Sequence, residues 1–171
     1  LDPTVIYKAT VTSAADVLLY TVDPVNDQLL SQATVGAALY PQTQAEVSAG
    51  VTPVNYAYPP GNVLRYGADP SGATSSRQAF LDACSSSRYV YAPAGTYLIT
   101  GNLNTVASGT TIEGDGFSTI LSLSGSNIRC FSLNNVTDIA IRNLMIDGNK
   151  PSVGWETTDN FDFGVRIGET T

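Results

Sequence analysis

Beyond residue 88 the sequence consists of short apolar runs, and this pattern limits the possible fold more than any other feature. The runs are rich in β-branched and aromatic residues and end at Gly, Asn, Asp or Ser, which is typical of strands joined by tight turns. Strand–turn–strand stretches recur about every 20 to 30 residues. Two of them, TTIEGDG from Thr110 and NLMIDGN from Asn143, place an Ile before an acidic residue and a Gly. Such recurrence predicts a solenoid, in which each repeat buries its apolar face on the next.

A helix is predicted directly before these runs. SSRQAFLDAC has apolar residues at helical spacing, which predicts a helix over Ser76–Cys84 with Ser75 as N-cap and Gln78 at the third position. A short amphipathic helix is suited to cover the open end of a solenoid. Val63–Tyr66 is predicted as a strand and Gly67–Gly72 as a turn. Later strands are predicted at Tyr89–Tyr91, Tyr97–Thr100, Thr110–Glu113, Thr119–Leu123, Ile128–Leu133, Ile139–Ile141, Leu144–Ile146 and Val165–Ile167. Left-handed bends are predicted at Asn134, Asn135 and Asn149.

Residues 1–50 are predicted to be a small β-rich segment that anchors the rest of the chain. Thr4–Val11 and Asp16–Val22 are β-prone and suit a hairpin or an edge pair. Asp23 and Pro24 are expected to end the second run, because Pro has no N–H to donate to a strand ladder. Two strands alone bury too little apolar surface to be stable, so this pair is expected to pack on another chain or on the following domain.

A short helix is predicted over Gln44–Ser48, since Thr43 and Glu46 have capping-box spacing and Gly50 stands where a helix would end. Residues 51–62 are rich in Pro and Tyr, which predicts an extended, semi-rigid connector. Its tyrosines are expected to pack the connector onto its neighbour, and stacking on a sugar ring is the alternative.

The composition excludes several functions. Only 13% of the residues are charged and the net charge is −7, which argues against binding nucleic acid or an anionic membrane surface. No apolar run is long enough to span a membrane. Because the sequence has no His, it contains no His-based triad or His metal site. Cys84 and Cys130 have no cysteine partner nearby in sequence and are predicted to be buried, small apolar residues.

Residues 63–171, here called the core segment, resemble a known superfamily. RYGADPSGATSSRQAFLDAC, YVYAPAGTYLIT, TTIEGDGFSTIL and VTDIAIRNLMIDGNK are similar to the N-terminal coils of pectate-lyase-like right-handed parallel β-helices. The resemblance implies a mainly β fold in which residues 63–171 form the first coils, capped by one short α-helix. Residues 1–50 and the connector at 51–62 would form a β-rich neck in front of them. Family members usually have many more coils, so the chain is expected to be the N-terminal part of a longer protein.

The preceding stretch AEVSAGVTPVNYAYPPGNVLRYGA resembles the neck of bacteriophage tailspikes. This implies an extracellular virion protein, a homotrimer that contacts other tail proteins through residues 1–50 and bacterial surface polysaccharide through the full-length protein. The chain itself would be a structural and attachment region without catalytic residues or a cofactor, and the full-length protein a depolymerase. The alternatives are a secreted bacterial polysaccharide lyase or glycoside hydrolase, with its active site in later coils, and a purely adhesive β-helix.

The candidate site residues are acids and one Trp. Paired carboxylates serve glycosidases or bind Ca²⁺, but acids in Gly turns are better explained by turn geometry, and no catalytic or metal-binding residue is assigned. Trp155, Asp159 and Asp162 lie in or beside the loop TTDNFDFG and are the predicted sugar contacts; packing of that loop is the alternative. Arg142 and Lys150 are predicted as surface charges, and contact with an acidic sugar is the alternative. The acids considered are Glu113, Asp115, Asp138, Asp147, Asp159 and Asp162.

Overall fold

The computed structural model describes residues 7–12, 18–25, 39–125, 128–148 and 165–168, with side chains described for 39–125, 128–148 and Val165. The fold is mainly β. Its strands are β1 Tyr7–Thr12, β2 Leu18–Val25, β3 Ser71–Ser75, β4 Tyr89–Ala92, β5 Gly95–Ile99, β6 Thr111–Gly114, β7 Thr119–Leu123, β8 Phe131–Asn134, β9 Ala140–Arg142, β10 Met145–Asp147 and β11 Val165–Gly168. The α-helices are α1 Gln44–Ala49 and α2 Arg77–Ser86, and the 3-10 helices span Val63–Tyr66 and Gly116–Ser118.

The first two strands form an antiparallel hairpin, which is one of the two arrangements predicted for them. The second strand continues through Asp23 and Pro24, where it was predicted to stop. The ladder is irregular at this point, between the pairs Tyr7–Val25 and Ala9–Val22. Pro is tolerated at such a bulge because a residue there need not donate a ladder hydrogen bond.

The remaining strands pair in parallel and form three sheets, with strand orders β4-β6-β9, β3-β5-β7-β10 and β8-β11. From β6 onwards the chain visits these sheets in a fixed order, so that β6, β7 and β8 are followed by β9, β10 and β11. The register is regular: Ile112 pairs with Val90 on one side and with Ile141 on the other. This arrangement is consistent with a parallel β-helix and accounts for the recurrence in the sequence.

The core lies on the inward faces of these sheets. Tyr97 and Leu121 are register partners on β5 and β7 and are fully buried. Helix α2 places Phe80 edge-to-face on the Tyr97 ring, with 5.5 Å between ring centroids. Each fully buried large apolar side chain contributes about 1.5–3 kcal/mol relative to exposure. Cys84 and Cys130 are buried and free, as predicted, and burial raises the pKa of each thiol to about 12.

Three local predictions near the start of the core segment were wrong. Val63–Tyr66 is a 3-10 helix rather than a strand: the Asn62 side chain accepts the Leu64 N–H, and Gly67 ends the helix at a φ of 87°. A non-glycine residue adopts that conformation only at a cost. Ser71–Ser75 is a strand that pairs with β5, so the turn predicted over Gly67–Gly72 ends two residues too late.

The N-cap of α2 is Ser76 instead of the predicted Ser75, and the helix continues to Ser86. The Ser76 hydroxyl bonds the backbone of Asp69 and makes no cap bond. Helix α1, by contrast, has the predicted Thr43–Glu46 capping box. The left-handed conformation predicted for Asn135 is present, with a φ of 54°. No helix among the described residues is long and apolar enough to cross a membrane.

Candidate functional site

The outward face of the β4-β6-β9 sheet carries a row of polar side chains. Strand residues alternate between two faces, so Tyr91, Glu113 and Arg142 point away from the core that Val90 and Ile112 fill. These three residues are register partners across the sheet. We call this row and its neighbours the polar face, which comprises Tyr89, Tyr91, Glu113, Asp115, Arg142 and Asn143.

Glu113 is at the centre of the polar face. Its Oε2 accepts hydrogen bonds from the Tyr89 hydroxyl and from Nη2 of Arg142, each at 3.0 Å. Its Oε1 accepts one from Nδ2 of Asn143, also at 3.0 Å. The Arg142 bond, followed by the Tyr89 bond, lowers the pKa of the Glu113 carboxyl. The carboxylate is therefore ionised at neutral pH and has no proton to give as a general acid.

Asp115 holds the turn that follows β4. Its Oδ1 accepts the Tyr91 hydroxyl at 2.8 Å, and its Oδ2 accepts the backbone N–H of Ala94 at 3.0 Å. The bond to Asp115 raises the pKa of the Tyr91 phenol, as the bond to Glu113 does for Tyr89. Asp115 thus ties a turn to a neighbouring strand, in agreement with the conformational interpretation of the acid–glycine turns.

Phe117 lies beside the polar face and is 88% exposed, the highest value among the large apolar side chains of the described region. Its turn is fixed: the Gly116 N–H donates to the Asn143 carbonyl at 2.7 Å, and both residues have left-handed φ angles, 71° and 55°. A cavity of about 250 Å³ lies between Gly116, Phe117, Asn143 and Leu144. Asn143 therefore lines the cavity and also bonds Glu113.

A second cluster explains the Arg of the RYGA motif. The Arg65 guanidinium is fully buried and forms a two-point ion pair with Glu46, with Nε–Oε1 at 2.6 Å and Nη2–Oε2 at 3.0 Å. Its remaining hydrogen bonds go to the backbone carbonyls of Tyr40, Pro41 and Tyr58. Every donor contact of this side chain serves the packing of the neck against the core segment.

The Tyr of the same motif completes this cluster. The Tyr66 hydroxyl donates to Glu46 at 2.8 Å and accepts from the Gly61 N–H and the Ser86 hydroxyl. Burial alone would raise the pKa of Glu46, but the bonds from Arg65, Thr43 and Tyr66 outweigh it and lower the pKa to about 2. The cluster is closed to solvent and already satisfied, so we assign it a structural role.

The Asp of the motif also has a structural role. Asp69 is partly exposed, and its carboxylate accepts hydrogen bonds from the backbone and hydroxyl groups of Ser71 and Thr74. The hydrogen bonds from Ser71, followed by those from Thr74, lower the pKa of Asp69. The RYGADPSG stretch is therefore a packing and turn motif from end to end.

The predicted sugar contacts Trp155, Asp159 and Asp162 lie outside the described residues, as does Lys150. Arg142 is 57% exposed, as a surface charge should be, but it pairs with Glu113. Asp138 has a φ of 57° in a turn. Within residues 39–125 and 128–148, no group of three or more Cys, Asp or Glu side chains could hold a metal ion.

Sequence reasoning missed the two tyrosines of β4, Phe117 and Asn143. The signal for the tyrosines was present: YVY alternates with a buried Val, and two aromatic residues then share the outward face. Phe117 stands between Gly116 and Ser118 in a polar turn, where an aromatic residue is unusual. Asn143 could be identified only from its pairing with Glu113.

A family model described as Rhamnogalacturonase A/epimerase, pectate lyase-like, matches residues 61–166, more than half of the 171-residue chain. No curated protein and no solved structure shows a significant match. The matched region begins just before the Arg65 motif and includes all three parallel sheets except the last residues of β11. The chain belongs to the pectate-lyase-like Rhamnogalacturonase A/epimerase family.

Proposed function

We propose that this chain is the structural and attachment region of a phage tailspike whose full-length form binds and depolymerises bacterial surface polysaccharide. The family match over residues 61–166 supports the polysaccharide part of the proposal, because proteins of this description act on polysaccharides. The tailspike part rests on the resemblance of AEVSAGVTPVNYAYPPGNVLRYGA to tailspike necks. In this role the chain is part of a virion, assembles as a homotrimer and contacts other tail proteins through residues 1–50.

The proposed architecture is the beginning of a right-handed parallel β-helix. The three parallel sheets, visited in a fixed order, support successive coils stacked on one another. Helix α2 supports the capping role, since it buries Phe80 against Tyr97 at the start of the stack. The neck is proposed to be held to the first coil by the Glu46–Arg65 ion pair.

Surface chemistry also supports a spike. A chain with 13% charged residues and a net charge of −7 covers its surface largely with uncharged polar side chains. Such a surface suits a protein that meets uncharged sugar hydroxyls, and it is unsuited to nucleic acid. The exposed polar face, with its tyrosines and its Glu113–Arg142 pair, offers hydrogen-bonding groups without a metal-binding cluster in the described residues.

The oligomeric state tests the tailspike proposal. We expect native mass measurement of the 171-residue chain to give three copies per particle at micromolar concentration. A particle that stays a single copy at every concentration contradicts the tailspike role, because the tailspikes that this chain resembles are trimers.

The enzymes after which the matching family is named favour a second candidate, a secreted bacterial polysaccharide lyase or glycoside hydrolase. That candidate requires no trimer and no tail attachment. A single-copy particle together with cleavage of a pectic polysaccharide by the longer protein would support it. Three copies, with depolymerisation of capsular polysaccharide or lipopolysaccharide, would support the spike.

A further inference from the structure

We infer that Phe117 and the adjoining part of the polar face form a binding subsite for an uncharged sugar ring of a glycan chain. The inference rests on the proposed function, since it names a substrate class for a polysaccharide-binding protein, and it assigns binding without catalysis.

The first step is the exposure of Phe117. Its ring is 88% exposed, on a turn fixed by the Gly116–Asn143 backbone bond and by the buried hydroxyl of Thr119, which accepts the Asp115 N–H at 2.8 Å. A ring held outward on a rigid turn adds nothing to the core. It provides a flat apolar surface that loses little conformational entropy when a ligand covers it.

The second step is the shape of the space beside the ring. The cavity holds about 250 Å³, is open to solvent, and is lined by Gly116, Phe117, Asn143 and Leu144. This lies just below the range of about 300–1,000 Å³ typical of pockets for drug-sized ligands. It suits one ring of a chain whose neighbouring rings stay outside, with the apolar face of that ring on Phe117.

The third step is the supply of hydrogen bonds from the polar face, where Asp115 and Arg142 are the chain neighbours of the cavity-lining residues Gly116 and Asn143. Asp115 accepts one bond on each carboxylate oxygen and has lone pairs left for hydroxyl donors. Arg142 is 57% exposed, and among the described residues its side-chain hydrogen bond runs from Nη2 to Glu113. A sugar with several hydroxyl groups can donate hydrogen bonds to Asp115 and accept them from Arg142.

The charge of the polar face determines whether the subsite favours an uncharged or an acidic sugar. The polar face carries two carboxylates, Glu113 and Asp115, against one guanidinium, and that guanidinium is already paired. The whole chain has a net charge of −7. A uronate-rich glycan would add further negative charge to this surface, so the subsite favours an uncharged ring.

The test is equilibrium binding of the whole chain to four probes: neutral hexasaccharides of glucose, galactose and mannose, and a hexagalacturonate. We expect at least one neutral probe to bind about tenfold or more tightly than the hexagalacturonate, and F117A to weaken that binding about tenfold. F117Y keeps the ring and should bind as the wild type does. V47A, which shortens an exposed side chain on α1, is the matched control and should change nothing. Thermal unfolding of each variant verifies the fold.

Four outcomes overturn the inference: no neutral probe binds, the hexagalacturonate binds most tightly, F117A binds as the wild type does, or F117A changes the number of chains per particle. The last result would mean that a second copy covers the ring. Failure here is distinguishable from failure of the tailspike proposal. If the chain is a trimer and F117A binds the probe as the wild type does, only the subsite inference is contradicted. If the chain is a single copy and F117A weakens binding, only the tailspike proposal is contradicted.

Discussion

At the scale of single residues, the Glu46–Arg65 pair makes stability depend on acid. The pKa of Glu46 falls from about 4.5 to about 2 on folding, so its contribution is complete above pH 4.5 and is lost as pH falls towards 2. We expect the wild type to lose about 3 kcal/mol of unfolding free energy between pH 7 and pH 2 through this group alone. Urea unfolding of wild type and E46Q across this range measures it, because E46Q lacks the titrating group.

The matched control is E113Q, since Glu113 is also paired with an Arg but is partly exposed. At pH 7 we expect E46Q to cost about 3–5 kcal/mol, because it leaves the buried Arg65 charge uncompensated. E113Q should cost much less than E46Q, because exposed ion pairs contribute little to stability. Equal losses for the two variants, or an E46Q protein with the pH dependence of the wild type, would contradict a structural ion pair.

At the scale of elements, Phe80 is the largest fully buried side chain of α2. Phe80 is fully buried and meets Tyr97 edge-to-face, so F80A should leave a cavity and cost about 3–5 kcal/mol in chemical unfolding. L81A, on the same helix at its partly buried edge, should cost about 1 kcal/mol. Should F80A be no worse than L81A, α2 would not be part of the core that the parallel strands form.

The elements also show what the sequence could and could not predict. Strands such as Thr119–Leu123 were predicted to the residue, because alternation of buried and outward side chains is local information. Val63–Tyr66 was predicted as a strand and is a 3-10 helix, since Arg65 and Tyr66 both reach a distant partner, Glu46. The polar face was missed for the same reason: Glu113 meets Tyr89 and Arg142 only after strands distant in sequence pair.

At the scale of the whole molecule, burial declines along the stack of strands. The inward residues of β4, β5, β6 and β7 are buried, whereas no residue of β9 or β10 is. In a stack where each strand contacts only its neighbours, the less buried end opens at lower free energy than the rest. Opening should therefore start at the C-terminal end of the described region.

The reactivity of the two thiols tests where opening starts, because Cys130 is closer in the chain to β9 and β10 than Cys84 is. Cys84 is on α2 and Cys130 immediately precedes β8, and burial raises the pKa of both to about 12, so neither reacts unless its surroundings open. We expect pulsed alkylation of the native protein, read by peptide mass, to modify Cys130 about tenfold or more faster than Cys84. C84S and C130S, each with one thiol left, control for coupling between the sites. Equal rates would mean that the described strands open as one cooperative unit, since a single global unfolding step exposes both thiols together.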